Sequence, residues 1–343
     1  MRRYLLIGLI LLFVFALVSC ASSRNPYPRS DLTNENWTSL VDTSPNRWAV
    51  GADRWFMTGD PNTTEVMDHH APYRAAISTM AVRVPDFTGI RTNGDFQVQI
   101  YGAYDHNSVY LYGPNEGVRQ VVVEVRNNVL CISQVKDASR LTGRVIVRIG
   151  VVNLQRLTHQ GSGMVEGRQL RSTGLHLVSA GRGNMYLAGN INLYDVLDSS
   201  SGSISIFGAV SSGLTIRTTG SGSVNISGNV GLKSILHKGS GDINLIGVSG
   251  SGVNINAMGK GKIGLMGSMD IREIRACDST CVFAYCLNSD SLYVYTFKDA
   301  RVGVAGHANH LYVDASVCLR CLTEVISTPI LGINSVQTGN AQT

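Results

Sequence analysis

A step of about 20 residues recurs through the second half of this chain, and a fixed period of that length constrains the fold more than any other feature. The first apolar residue after each turn falls at Val165, Met185, Ile204, Val224, Ile243 and Ile263, so successive positions differ by 20, 19, 20, 19 and 20. Val282 and Val302 continue the series at 19 and 20, where the glycine turns have gone, and a step to Val317 is shorter. Each unit opens on a turn such as Gly220-Ser-Gly222 or Gly239-Ser-Gly241, then alternates apolar with polar residues and reaches another glycine. A second column lies between these, with Leu175-His-Leu177, Leu214-Thr-Ile216, Val253-Asn-Ile255, Leu292-Tyr-Val294 and Leu311-Tyr-Val313. Two-residue alternation marks strands with one buried face, so each unit is expected to supply at least two short strands. A unit of that size cannot bury its apolar face alone, whereas stacked units bury one continuous column. The expected fold is all-β, a parallel β-solenoid with Ile243 between Val224 and Ile263. Glycines are expected where the chain turns at positive φ. With coils ~4.8 Å apart, eight of them make a rod ~40 Å long. A propeller repeat would need ~40 residues and four strands, and a sandwich would not hold this step over seven intervals. Disordered Gly/Ser sequence would lack the regular apolar pairs.

Upstream, from about residue 80, short alternating runs also read as strands: Phe96–Ile100, Val109–Leu111, Val121–Val125 and Val145–Ile149, with Asn127-Asn128 as a turn. The segment Val84-Pro-Asp-Phe-Thr-Gly-Ile90 leads into Gly94-Asp-Phe-Gln-Val-Gln-Ile100, and the turns Gly220-Ser-Gly-Ser-Val-Asn-Ile226 and Gly239-Ser-Gly-Asp-Ile-Asn-Leu245 follow. In order and spacing these resemble the GIN-type head domain family of auto-transporter adhesins, over about residues 80–270 and extending toward 327. The resemblance implies a right-handed parallel β-helix and a cell-envelope location, and it carries over no catalytic residues. After Gly267, cysteines and tyrosines replace the glycine turns, a departure from the family pattern.

The N-terminus reads as an export signal. Arg2 and Arg3 precede an apolar run from Leu5 to Val18 interrupted only by Gly8. That run is short for a spanning helix, which needs ~20 residues, and it ends in small residues, the pattern of a removable signal. Leu17-Val-Ser-Cys20 resembles the lipobox of bacterial lipoproteins. Residues 1–19 are therefore expected to be a lipoprotein signal peptide, with the mature chain beginning at Cys20 and carrying membrane lipid there. Ala21 after the cysteine points to the outer membrane by the same resemblance. Residues 20–79 read as a tether, rich in Asn, Pro, Ser and Thr and holding Trp37, Trp48 and Trp55. The solenoid domain is expected over 80–327, with a C-terminal tail over 328–343.

Charge and cysteines narrow the chemistry. Lys and Arg exceed Asp and Glu by 29 to 24, a net +5 that becomes +3 without Arg2 and Arg3, too little and too dispersed for nucleic acid. Six cysteines follow Cys20: Cys131, Cys277, Cys281, Cys286, Cys318 and Cys321. In an exported protein, disulfides among the last five are the first expectation, with their pairing unknown. Cys318-Leu-Arg-Cys321 has the spacing of half a zinc knuckle, but Cys277, Cys281 and Cys286 do not supply the other half. Asp68-His69-His70 sits in a loop-like stretch where adjacent histidines diverge. No metal and no cofactor is expected.

Three functions remain: a non-catalytic binding or adhesion module with a glycan or envelope-protein partner, a structural envelope protein, and a β-helical polysaccharide-degrading enzyme. Glycoside hydrolysis needs two carboxylates ~5–9.5 Å apart. The outward positions Met164, Asn184, Ser203, Ser223, Asp242, Lys262 and Cys281 offer one acid, and the next set, Glu166, Tyr186, Ser205, Asn225, Asn244, Gly264 and Phe283, offers another. Asp242 and Lys262 could pair across coils, and Asp195 and Asp198 fall in a loop-like stretch. His159, His176, His237, His307 and His310 read as turn or solvent-facing residues at unrelated repeat positions. Tyr101, Tyr104, Tyr110 and Tyr112 are either a recognition surface or a cap over the end of the solenoid. The binding module is the preferred reading.

Overall fold

The computed structural model describes residues 77–102, 105–135, 140–316 and 335–338, and these form one 17-stranded sheet wound into a β-solenoid of about 8 turns. The repeating body is built from β9 (Val165–Ser179), β10 (Met185–Asp198), β11 (Ile204–Thr218), β12 (Val224–His237), β13 (Ile243–Ala257), β14 (Lys262–Ala276), β15 (Cys281–Phe297) and β16 (Arg301–Ser316). Each pairs in parallel with the next, and β17 (Ser335–Thr338) continues the stack on β16. Where two short strands per coil were expected, each coil is a single extended strand of 14 to 17 residues. Register shifts near the middle of most pairings bend it, because a bulge lets the chain turn a corner without ending the hydrogen-bonded ladder.

The apolar columns fall where alternation places them. Val165, Met185, Ile204, Val224, Ile243, Ile263, Val282 and Val302 are consecutive partners across the coils. Ile243 is 1% exposed. The second column runs Leu177, Val196, Ile216, Ile235, Ile255, Ile274, Val294 and Val313, again buried throughout.

Both columns begin earlier in the chain than the repeat does. β2 (Gly89–Asn93) and β3 (Gln97–Tyr101) form a first coil. Its Ile90 stacks on Leu157 of β8 (Arg156–His159), and its Val98 stacks on Val165. An insertion interrupts the winding between them. β4 (Ser108–Pro114) runs antiparallel to β1 (Ile77–Val82) and to β7 (Ile146–Gly150). The short helix α1 (Asn115–Arg119) leads to a hairpin of β5 (Val121–Arg126) and β6 (Val129–Gln134). Asn127 and Asn128 make its two-residue turn at φ +51° and +61°, a conformation that asparagine tolerates well.

The glycines do two jobs, and the paired turn glycines do not do the expected one. In the Gly-Ser-Gly and Gly-Lys-Gly turns the constraint is close approach. A Cβ on Gly241 would lie 1.9 Å from the carbonyl oxygen of Gly222 on the coil before, and one on Gly261 would lie 2.0 Å from that of Gly241. Left-handed backbone occurs at the other corner, where Gly208 and Gly247 have φ +74° and +80°.

Candidate functional site

The inner corner just before each turn holds a column of polar side chains. Thr92, His159, Ser179, Asp198, Thr218 and His237 are successive partners in it, and Ala257, Ala276 and Thr296 continue it. His159 and His237 are each 1% exposed, which corrects the reading of both as solvent-facing residues at unrelated positions. They share one repeat position four coils apart. Each ring Nδ1 is hydrogen-bonded to a threonine hydroxyl of the preceding coil in the column, Thr92 at 2.7 Å and Thr218 at 2.6 Å. Asp198 Oδ1 accepts from the Ser200 N–H and O–H at 3.1 and 2.5 Å.

Burial pushes both imidazoles below the ordinary histidine pKa, against opposing effects of the Gly163 backbone on His159 and of Asp242 on His237. Burial pushes the Asp198 carboxyl up, against its Ser200 hydrogen bonds. For the histidines the unfolded chain binds more protons below about pH 6.5. Their stabilisation is therefore complete above that pH and lost as pH falls toward their folded values. Asp198 has the opposite sign, its protonated form favouring the fold as pH drops through its raised value. Unfolding free energy is thus expected to fall between pH 7 and pH 5. Replacing His159 and His237 together by Gln should flatten that slope in denaturant titrations, and an unchanged slope would contradict neutral buried rings.

The outer face shows how the acids are used. Asp242 Oδ1 accepts the backbone N–H of Lys262 at 2.8 Å, in place of the expected side-chain ion pair. Asn184 does the same for Ser203, also at 2.8 Å, so the position just before the strand stitches adjoining coils. Glu166 pairs with Arg168 and Glu273 with Arg275 on their own strands. Asp195 lies 3.0 Å from His176 Nδ1, and Asp270 accepts the Gly252 N–H at 3.0 Å. The register neighbours of Glu166 are Gln99 and Tyr186, those of Asp195 are His176 and Thr215, and those of Glu273 are Asn254 and Tyr293. None of these three acids has a carboxylate as its register neighbour on either side. Among the described residues no three His, Cys, Asp or Glu side chains are grouped to hold a metal ion.

Two surface features could hold a ligand. A shallow polar groove of about 630 Å³ crosses the turn corners of the first coils, lined by Asn93, Asp95, Gln134, Gln160 and Arg182, with Ser200 in its floor. On the outer face of the last coils, Tyr293, Tyr295 and Tyr312 cluster with ring centroids 5.9 Å (Tyr293–Tyr312) and 6.0 Å (Tyr295–Tyr312) apart. The Arg275 guanidinium lies 5.4 Å from the Tyr295 centroid. The N-terminal tyrosines are arranged differently. Tyr101 is buried, and Arg148 lies over its ring and over that of Tyr112 at 5.9 and 4.9 Å, so these two belong to the end cap. Tyr110 is exposed beside Tyr112, and Tyr104 lies outside the described residues.

Of the cysteines, Cys131 and Cys277 carry free thiols, and Cys281 opens β15 in register with Lys262 and Arg301. Cys20, Cys318, Cys321, the Asp68-His69-His70 stretch and the three tryptophans lie outside the described residues, as does the side chain of Cys286.

Residues 86–268 match the family described as "Putative auto-transporter adhesin, head GIN domain". No match is found among curated proteins. Among solved structures, a protein described as a putative adhesin from Parabacteroides distasonis is similar at 15% identity, covering 71% of this chain and 95% of that one, with a TM-score of 0.47. One described likewise from Bacteroides fragilis is similar at 16% identity over 70% of this chain and 93% of that one, TM-score 0.41. A third, described as a putative lipid binding protein from Parabacteroides distasonis, is similar at 14% identity over 77% of this chain and 97% of that one, TM-score 0.41.

Proposed function

Because this chain belongs to the family described as "Putative auto-transporter adhesin, head GIN domain", we propose that it is a cell-envelope lipoprotein whose solenoid is a non-catalytic binding and adhesion module. Lipid on Cys20 would tether it to the outer membrane, and residues 21–79 would join that anchor to the rod. More than one acyl chain is needed for a stable anchor, which lipoprotein maturation would provide.

The observation that carries the non-catalytic reading is the state of the outer carboxylates. Asp242 and Asp270 accept backbone N–H groups of neighbouring coils, and Glu166 and Glu273 are neutralised by arginines on their own strands. A hydrolase would need a facing pair. What the outer face does offer is a rigid array of hydroxyl, amide and phenol groups at the spacing of the coils, such as the Asn244 side-chain amide donating to Asn225 Oδ1 at 3.0 Å.

Retention of glycans or envelope proteins by the soluble form lacking residues 1–20 tests the binding role. Selective retention is expected, and a protein that holds nothing from the envelope would be a structural rod instead. The anchor has its own test. Cys20→Ala should abolish metabolic labelling with a fatty acid, and label persisting on that variant would contradict lipidation there.

A further inference from the structure

We propose that the tyrosine face of the last coils is the ligand site of this binding module and that it takes an uncharged polysaccharide. The assignment rests on the binding role proposed above and adds the site and the ligand class.

The face consists of two adjacent outward columns. One runs Asn254, Glu273, Tyr293, Tyr312 and the other Asn256, Arg275, Tyr295, Asp314, each in register across β13 to β16. Residues two apart on a parallel strand point the same way, so the columns share one flat surface. Tyr293 is 42% exposed, and Tyr295 and Tyr312 are half-buried beside it. The rings are tilted by 46° and 54° to one another. They do not close into a parallel stack, and Tyr293 is the most exposed of the three. Aromatic faces with a polar tip suit the C–H faces and hydroxyls of a sugar ring.

Next to the rings, the same columns carry two side-chain amides and an Arg–Glu pair. These are donors and acceptors held in place by the sheet, and fixed geometry lowers the ordering cost of binding. Charge selects the polymer. The cation of this face, Arg275, is already paired with Glu273 and lies against Tyr295, while Asp314 adds a negative group. Across β13 to β16 a polyanion would find no free positive charge in these two columns, and the exposed Arg217 of the second column lies three coils before Arg275. A protein partner would need ~800 Å² of contact on its own side, more than three partly covered rings supply. The groove at the opposite end of the stack has no aromatic lining and is the competing site.

The full chain in detergent can be run through native gels containing laminarin, mannan, xylan or galactan, with polygalacturonate as the anionic arm. Retardation by at least one neutral polymer and none by polygalacturonate is expected. Tyr293→Ala and Tyr312→Ala should each weaken it about tenfold. Tyr293→Phe, which keeps the ring, should retain most of it, and Tyr194→Ala, at a 63% exposed tyrosine on β10, five coils before Tyr293 in the stack, should change nothing. Should the alanine variants fail to fold, nitration of the wild-type protein with and without polymer reads the same contact, because bound polymer should shield Tyr293 and leave Tyr194 reactive. Unshielded Tyr293, undiminished retardation of folded alanine variants, or preference for polygalacturonate would overturn the assignment. A chain that retains envelope protein but no polysaccharide would overturn it and leave the binding role standing, whereas a chain that retains neither would remove both.

Discussion

Gly241→Ala is expected to cost about 3 kcal/mol of stability, the upper part of the range for overpacking a rigid site. The new methyl would lie 1.9 Å from the Gly222 carbonyl oxygen and 2.6 Å from its carbon, so a backbone must move. Neither backbone can move cheaply. Ser240 donates its N–H to Gly220 at 3.0 Å, Ser221 to Ser200 at 2.9 Å and Lys260 to Gly239 at 3.0 Å, and shifting one turn strains the bonds on both sides. In a stack where each coil touches only its neighbours, that strain weakens two interfaces at once. Gly213→Ala is the matched comparison. A Cβ there meets nothing within 4 Å, so the same change should be neutral or stabilising by up to ~1 kcal/mol through the unfolded chain. Chemical denaturation of the two variants checks the contrast, and similar losses would mean that close approach of the turns is not what requires glycine.

Much of this architecture is legible in the sequence because a two-residue alternation and a fixed step together determine both facing and neighbour. Ile243, Val224 and Ile263 follow from those two rules alone. The same arithmetic places Tyr293 against Tyr312, since Leu292-Tyr-Val294 and Leu311-Tyr-Val313 stand one step of the repeat apart. The first coil is harder to see. Val98 belongs to the same column as Val165, but the insertion holding β4 to β7 separates them and the step is lost. The turn glycines identify the corner correctly and the reason wrongly, because contact between coils and positive φ both select glycine and only the backbone geometry tells them apart.

The buried histidines show a different limit. His159 and His237 are separated by four steps of the repeat, through Ser179, Asp198 and Thr218, so their shared position can be counted. Their burial cannot be read from residue type, since a histidine ahead of a glycine turn looks like loop. It becomes intelligible only once the threonine hydroxyls of Thr92 and Thr218 are seen beside the rings, satisfying Nδ1 of each ring, while each Nε2 is buried without a partner, a cost that the neutral ring keeps small. The outward acids are sparse in the sequence, and the structure adds what those few do: they hold coils and strands together.

Aspartate at two adjacent positions tests the stacked register most directly. Ile243 sits at 1% exposure in a dry column between Val224 and Ile263. Ile243→Asp removes an apolar side chain and inserts a carboxyl with no partner, a loss of about 4 kcal/mol or more. Asn244, one residue on, faces solvent and donates to Asn225. Asn244→Asp gives up that one exposed hydrogen bond and should cost roughly 0.5 kcal/mol. A slip of one residue in register would exchange the two outcomes. Thermal unfolding of both variants beside the parent chain should show a large drop in Tm for Ile243→Asp and a small one for Asn244→Asp, whereas equal drops, or the reverse order, would contradict the stacked-coil solenoid.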